Sequence, residues 1–367
     1  MDILDSDAKD CLAILARAPD GLTRHLLPNS RGVSTLLRSG LATRRTCSET
    51  TSCLDGTPFS VESERIHALT PIRTYAIRHL NAPAPALAEL RKYYFNLAIR
   101  AMEIGTAGTT VVLDMIARES GNLNKVISEA LRDGATAVVL PPASDAQGSM
   151  LREDTAWNWE EAEVPAPSSV SAHSAASNSD NEWRDAIRAF LAVAWWQHWT
   201  GNMDRGILDL CLLRLNATPP EYLVAEDYSL LSQCQFALAR TLTPASAEGR
   251  ALVTAALASA RKIGDIGLEV DALTKRTVAD VPQDLERLNL ALELLSRLNE
   301  ADDKTVTRKA RVYLELGQLY CSSSDTVQAT KYFELAQELS PQLSNSIQLR
   351  ARVLFRYDKS SMPIFPL

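Results

Sequence analysis

Tyr313-Leu-Glu-Leu-Gly-Gln-Leu-Tyr-Cys-Ser-Ser-Ser-Asp-Thr-Val-Gln-Ala-Thr-Lys-Tyr-Phe-Glu-Leu-Ala-Gln-Glu-Leu-Ser-Pro341 decides how this chain is read. Tyr313 opens a helix, Leu316 and Gly317 follow it, and Tyr320 comes one turn later. Ala329, Phe333, Ala336 and Pro341 complete a second helix and its stop. Gly317 lets two helices approach closely, Ala329 gives clearance at their crossing, and Tyr320 and Phe333 fill the groove between them. A hairpin of this kind cannot bury its apolar face alone, so neighbouring hairpins must stack on it.

These residues fall at the spacing of one tetratricopeptide (TPR) repeat. The expected fold is therefore all-α, with a TPR-like solenoid of helical hairpins as its main part. An apolar content of 46% supplies an ample core and excludes disorder of the whole chain. With 38 basic against 45 acidic residues, a net charge of −7 implies no general affinity for polyanions. Six cysteines show neither a CxxC pair nor the paired spacing of a secreted disulfide scaffold, so free thiols in a reducing compartment are expected. The first residues, MDILDSDAKD, lack the basic-then-apolar pattern of a signal peptide. The longest apolar run, Ala189 to Trp196, is too short to span a bilayer. A cytoplasmic protein is expected.

Ahead of the repeats lies a different pattern. Asp7 to Arg17 reads as a helix stopped at Ala18-Pro-Asp-Gly21, a short helix follows at Thr23, and Ser34 to Ser39 forms a third, ended by Gly40. Leu41 to Arg45 reads as a strand pairing with Arg65 to Leu69 across a long polar loop. Thr70 and Pro71 open a fourth helix. Three short helices, a hairpin and a closing helix make a winged-helix layout for residues 1–81. Pro83 and Pro85 stiffen a linker, after which Leu87, Leu90, Tyr94, Leu97, Ala98 and Ala101 recur on one helical face.

Residues 86–140 are read as the first helical hairpins, with Ser120-Gly121-Asn122 as the turn between Thr109–Arg118 and Asn122–Arg132. Residues 141–181, opened by Pro141-Pro142 and Ser/Ala-rich from Ser168 to Ser179, read as a disordered insertion. Trp157 and Trp159 within it either dock onto the array or serve as a short partner motif. Residues 182–343 resume the array. Its hairpins are turned at Thr200-Gly201-Asn202, near Pro244 and at Val281-Pro282. Residues 344–367 read as a capping helix, Ile347 to Tyr357, and a tail.

The order of these parts resembles a family. Cys11 to Leu22, Leu36 to Ala42 and Leu69 to Tyr75, with Arg73 in the best-matching stretch, look like the winged-helix segment of fungal NLR-like STAND ATPases. In those proteins an NB-ARC or NACHT nucleotide module precedes this segment and a TPR-like array follows it. The resemblance implies that the chain is the sensor and regulatory part of a nucleotide-switched signalling protein, with an NB-ARC or NACHT module as a partner. The switch itself is missing, because no GxxxxGK[ST] occurs in the sequence. Val111-Val-Leu-Asp114 imitates a Walker B strand inside a helical pattern, and His67 does not sit at the family's nucleotide-contacting spacing.

Catalytic chemistry is not expected. His25, His67, His79, His173 and His198 are scattered, no GxSxG elbow occurs, and Cys47 and Cys53 have no histidine at ligand spacing, so no catalytic residue, cofactor or metal is assigned. Residues 11–80 hold nine Lys/Arg against five Asp/Glu, +4 by subtraction, with Arg31, Arg38, Arg44 and Arg45 as candidate phosphate contacts. The third helix is short and apolar for a DNA reader, so nucleic acid is not the expected partner. The leading expectation is a non-catalytic interaction and regulatory module with a protein or peptide in the repeat groove. A free-standing TPR adaptor is the alternative, and a winged-helix DNA-associated regulator a further one. First helices of TPR hairpins line the groove, which nominates Gln197, Arg276, Lys309, Glu315 and Gln318 for partner contact.

Overall fold

The computed structural model describes residues 4–52, 58–103, 109–133, 179–201, 203–243, 246–275, 281–299 and 302–343. Among them the chain is mostly helical, with thirteen α-helices and one three-stranded sheet. No helix among the described residues is long and apolar enough to cross a membrane. Residues 141–178 of the expected insertion with Trp157 and Trp159, the capping helix, Cys53 and Arg276 all lie outside the described residues.

Asp5 caps α1 (Ser6–Leu15) by accepting a bond from the Ala8 amide at 2.8 Å. Cys11, Leu12, Ala13, Ile14 and Leu15 are all fully buried, so α1 is the central rod of the N-terminal unit. A short strand, β1 (Leu22–Thr23), and a 3₁₀ turn lead to α2 (Ser30–Arg38), which Asn29 caps through the Gly32 amide. Strands β2 (Ala42–Ser52) and β3 (Pro58–Ala68) pair in the register Ala42↔Ala68 and Arg45↔Arg65. That is the pairing expected from sequence, but the ladder runs on to Ser52↔Pro58, so most of the presumed polar loop is strand. β1 adds to the other edge of β3 through Leu22↔Ile66, giving the order β1-β3-β2. Pro71 stands in the first turn of α3 (Thr70–His79), which packs on α1.

Beyond α3 the chain is helical throughout its described parts: α4 (Ala84–Ile99), α5 (Thr109–Asp133), α6 (Ser179–Thr200), α7 (Arg205–Ala217), α8 (Ala225–Thr241), α9 (Ala247–Ile263), α10 (Ile266–Thr274), α11 (Val281–Leu295), α12 (Asp303–Ser322) and α13 (Thr326–Leu339). Asp204, Ser246, Asp265, Asp302 and Asp325 each cap the helix that follows, accepting from amides at its start.

One expectation fails at α5. Ser120-Gly121-Asn122 does not turn the chain but lies inside a single continuous helix. The small residues there answer a tertiary demand, because the turn Ala18–Gly21 of the N-terminal unit lands on them. A Cβ at Gly121 would stand 2.4 Å from Asp20 Oδ2.

The pairs α4/α5, α8/α9, α10/α11 and α12/α13 pack as hairpins. α7 returns beside α6, with the Arg214 guanidinium 5.3 Å over the Trp183 indole, and lies against α5 and α8. Each first helix touches the next, α4 on α6, α6 on α8, α8 on α10 and α10 on α12, whereas among the return helices the close contact is α5 on α7. The first helices therefore form a continuous layer of successive contacts. One apolar core runs unbroken from Leu4 in front of α1 to Leu238 in α8, so the N-terminal unit and the first hairpins share their interior across the proline linker. Two smaller clusters, around Val270–Leu319 and Val306–Leu343, hold the last hairpins.

Candidate interaction surfaces

The last hairpin places the repeat residues as follows. Leu316, Ala329, Phe333 and Ala336 are buried, and Pro341 sits in the 3₁₀ turn after α13. A Cβ on Gly317 would stand 2.6 Å from the Phe333 ring, so the absent side chain is what lets α12 and α13 close. Tyr320 stacks on Tyr332, a residue the repeat spacing did not single out, with ring centroids 5.5 Å apart, and Tyr313 leans on the same ring at 6.1 Å.

The partner-contact candidates separate. Gln197 faces inward: it is 1% exposed and donates from Nε2 to Asn124 Oδ1 of α5 at 2.9 Å. Its nomination is corrected, since burial against α5 removes it from any groove; a polar residue on a helix packed on two sides has no fixed outward face. Lys309, Glu315 and Gln318 are half-exposed on α12. Gln318 Nε2 is enclosed and finds no acceptor among the described residues.

Charges on the first-helix layer fall into two groups. In one group, arginines pair with carboxylates across neighbouring helices. Arg91 of α4 meets Glu182 of α6 at 2.8 Å as well as Asp133 of α5. Arg184 of α6 grips the buried Asp227 of α8 with both nitrogens, at 2.6 and 3.0 Å, and Arg188 meets Glu226. Asp271 of α10 takes Arg308 at 3.0 Å and Arg311 at 3.2 Å from α12. Such bidentate and clustered pairs fix the register of one helix on the next.

At the C-terminal ends of α6, α8 and α10 the company is different. His198 lies in the last turn of α6, Arg240 in the last turn of α8, and Lys275 immediately after α10. Burial first, then Arg240 and Lys275, hold the His198 imidazole below its usual range. Burial and Arg240 likewise lower the Lys275 ammonium, opposed by Glu315 of α12. The Lys275 ammonium makes no ion pair among the described residues.

A third cluster joins the N-terminal unit to the array and was not foreseen. Asn122, wholly buried, sets its Nδ2 amide 2.9 Å from Gly21 O, 2.9 Å from Tyr94 Oη and 2.8 Å from Glu119 Oε2, so three acceptors share its two protons. Tyr94 Oη donates to Glu119 Oε2 at 2.8 Å, and Glu119 is ion-paired to Arg65 of β3, which also reaches Asp20 O at 3.1 Å. Burial pushes the Tyr94 phenol well above its usual range, so it stays a donor at any ordinary pH. A buried asparagine between two helical segments was the available sequence signal, and the turn reading absorbed it.

The remaining candidates are ordinary parts of the fold. Val111 to Asp114 lies in α5, with Asp114 exposed and 3.8 Å from Arg118, one turn on. His67 packs on Gly21, where a Cβ would meet its ring at 2.7 Å. Arg73 donates to Pro19 O at 3.4 Å. Among the described residues no group of three His, Cys, Asp or Glu is placed to hold a metal ion. No family model, curated protein or solved structure matches the chain.

Proposed function

We propose that the chain is a non-catalytic interaction and regulatory module, a winged-helix unit fixed to a TPR-like array that receives a protein or peptide on its first-helix layer. Support comes above all from the continuity of that layer from α4 to α12, with half-exposed polar side chains of α6, α8, α10 and α12 along it. Stacked hairpins whose first helices stay in contact leave an extended concave surface, which such arrays use for recognition. The buried joint at Asn122 supports a regulatory role, since it would transmit the position of the array to the N-terminal unit as a rigid body. In this reading the chain is the sensor part of an NLR-like signalling ATPase and binds no nucleotide by itself.

Panning a random peptide library on the full chain tests this. Peptides should be recovered whose binding falls at least about tenfold with Gln318→Arg, a substitution that fills the groove wall. Recovery only of peptides indifferent to that change would overturn the groove as the binding surface.

A second reading gains one observation. In α2 the apolar Val33 and Leu36 are buried while Arg31 and Arg38 are exposed, as are Arg45 of β2 and Arg44, which pairs with Glu64 at 2.9 Å. The helix is thus polar on its outer face, contrary to the sequence expectation, and a duplex could meet it. Binding of a short DNA duplex at low salt that vanishes with Arg44→Ala and Arg45→Ala together would support this; none at low salt would remove it.

A further inference from the structure

The groove carries its charge unevenly. Along the first-helix layer every rung described above is an arginine facing a carboxylate, Asp271 one turn before Lys275 being held by Arg308 and Arg311. At the C-terminal ends of α6, α8 and α10, which touch in sequence, stand His198, Arg240 and Lys275, and among the described residues Glu315 of α12 is the carboxylate that acts on Lys275. Basic groups at helix C-termini are favoured by the helix dipole, which accounts for one such residue per helix. It does not account for Lys275, a half-buried ammonium set beside like charges without a contact partner among the described residues. Partial burial of an unpaired ammonium costs free energy that an incoming anion would recover.

We infer that this edge of the groove is an anion-recognition site that seats an acidic peptide segment, with Lys275 as its central contact, Arg240 beside it and Glu315 limiting how far the acidic run extends. This rests on the groove reading above and names the chemistry of its occupant. An extended peptide fits the dimensions: three adjacent helices set about 9 Å apart span about 20 Å, the length of about six residues of extended chain. A lone phosphate would meet one helix end only. A nucleic acid would need a wider basic field than a chain of net charge −7 with paired rungs provides.

The test uses the full chain and fluorescein-labelled peptides of about ten residues alternating alanine with glutamate, glutamine or lysine, read by anisotropy. The glutamate peptide should bind, weakening by about tenfold with Lys275→Glu and on raising salt from about 50 to about 300 mM. Glu315→Gln should tighten it about threefold, an opposite sign that general damage to the fold would not give. Lys331→Glu, the same charge change on the exposed side of α13, should leave it unchanged. Lys275→Met covers the case in which the glutamate variant fails to fold, and it too should weaken binding. The inference is overturned if the glutamate peptide binds no better than the glutamine one, or if Lys331→Glu weakens it as much as Lys275→Glu. Should the glutamine or lysine peptide bind instead and be lost with Gln318→Arg, the groove reading stands and only the acidic occupant falls.

Discussion

Asp20 and Asn122 hold each other reciprocally across 102 positions of sequence: the Asp20 amide donates to Asn122 Oδ1 at 2.8 Å, and the Asn122 amide donates to Asp20 Oδ2 at 3.0 Å. This clasp fixes the N-terminal unit to the middle of α5, and Gly121 makes room for it.

Gly121→Ala should therefore change sign with its background. A glycine within a helix ordinarily gains about 1 kcal/mol on becoming alanine. Here the new Cβ displaces the Asp20 carboxylate, forfeiting a charge-assisted bond of about 1.5–3 kcal/mol, so the net effect is destabilising. In an Asp20→Ala background the obstruction is gone, and Gly121→Ala should stabilise. Urea denaturation of the four proteins measures this, and destabilisation in both backgrounds would contradict the clasp.

The Arg65–Glu119 pair at the same joint should behave as a buried pair. Arg65→Met or Glu119→Gln alone should cost about 3 kcal/mol, since each strands a desolvated charge. The two together should cost clearly less than the sum. Additive losses in a double-mutant cycle would mean that the two side chains do not share the site.

How far the sequence revealed this architecture can be judged at particular residues. The hairpins α8/α9 and α12/α13 were legible because apolar periodicity is strong along their helices, whereas α7 packs chiefly on α5 and α8 rather than on α6, and Val281-Pro282 opens α11 instead of turning the chain. The pairing of Arg45 with Arg65 was legible from alternation around it. Gly121 and Asn122 were misread, since a small-polar signature means a turn when the chain is solvated and a docking point when another segment covers it. Gln197 was misassigned for a related reason: periodicity gives a helix face but not the neighbour that covers it. The row His198, Arg240, Lys275 could not be read at all, because each residue belongs to a different helix and only packing aligns them.

Gly317 and Phe333 define the closest approach of the last hairpin. Gly317→Ala should destabilise by about 2 kcal/mol, because a rigid ring rather than a flexible chain end blocks the new methyl group. Phe333→Leu should itself cost about 1–2 kcal/mol and should remove most of the Gly317→Ala penalty. Thermal denaturation of the four combinations checks the coupling; independence would place the ring elsewhere.

Acid sensitivity should be traceable to His198. Its imidazole titrates below the ordinary 6.5 because burial and the neighbouring Arg240 and Lys275 disfavour the cation. Above 6.5 it is neutral in both folded and unfolded chains and leaves stability unaffected. As pH falls from 6.5 toward the lowered native value, the unfolded chain binds the proton first, so stability declines through that window and is level below it. His67 acts in the same direction, through burial, Arg45 and Arg65. Subtracting the stability profile of His198→Gln from that of the parent isolates one site: the difference should be flat above 6.5 and slope downward below it. In Lys275→Met, which removes one of the two neighbouring cations, that slope should shrink. A difference profile flat from pH 7 to pH 5 would show that His198 does not sit among these charges.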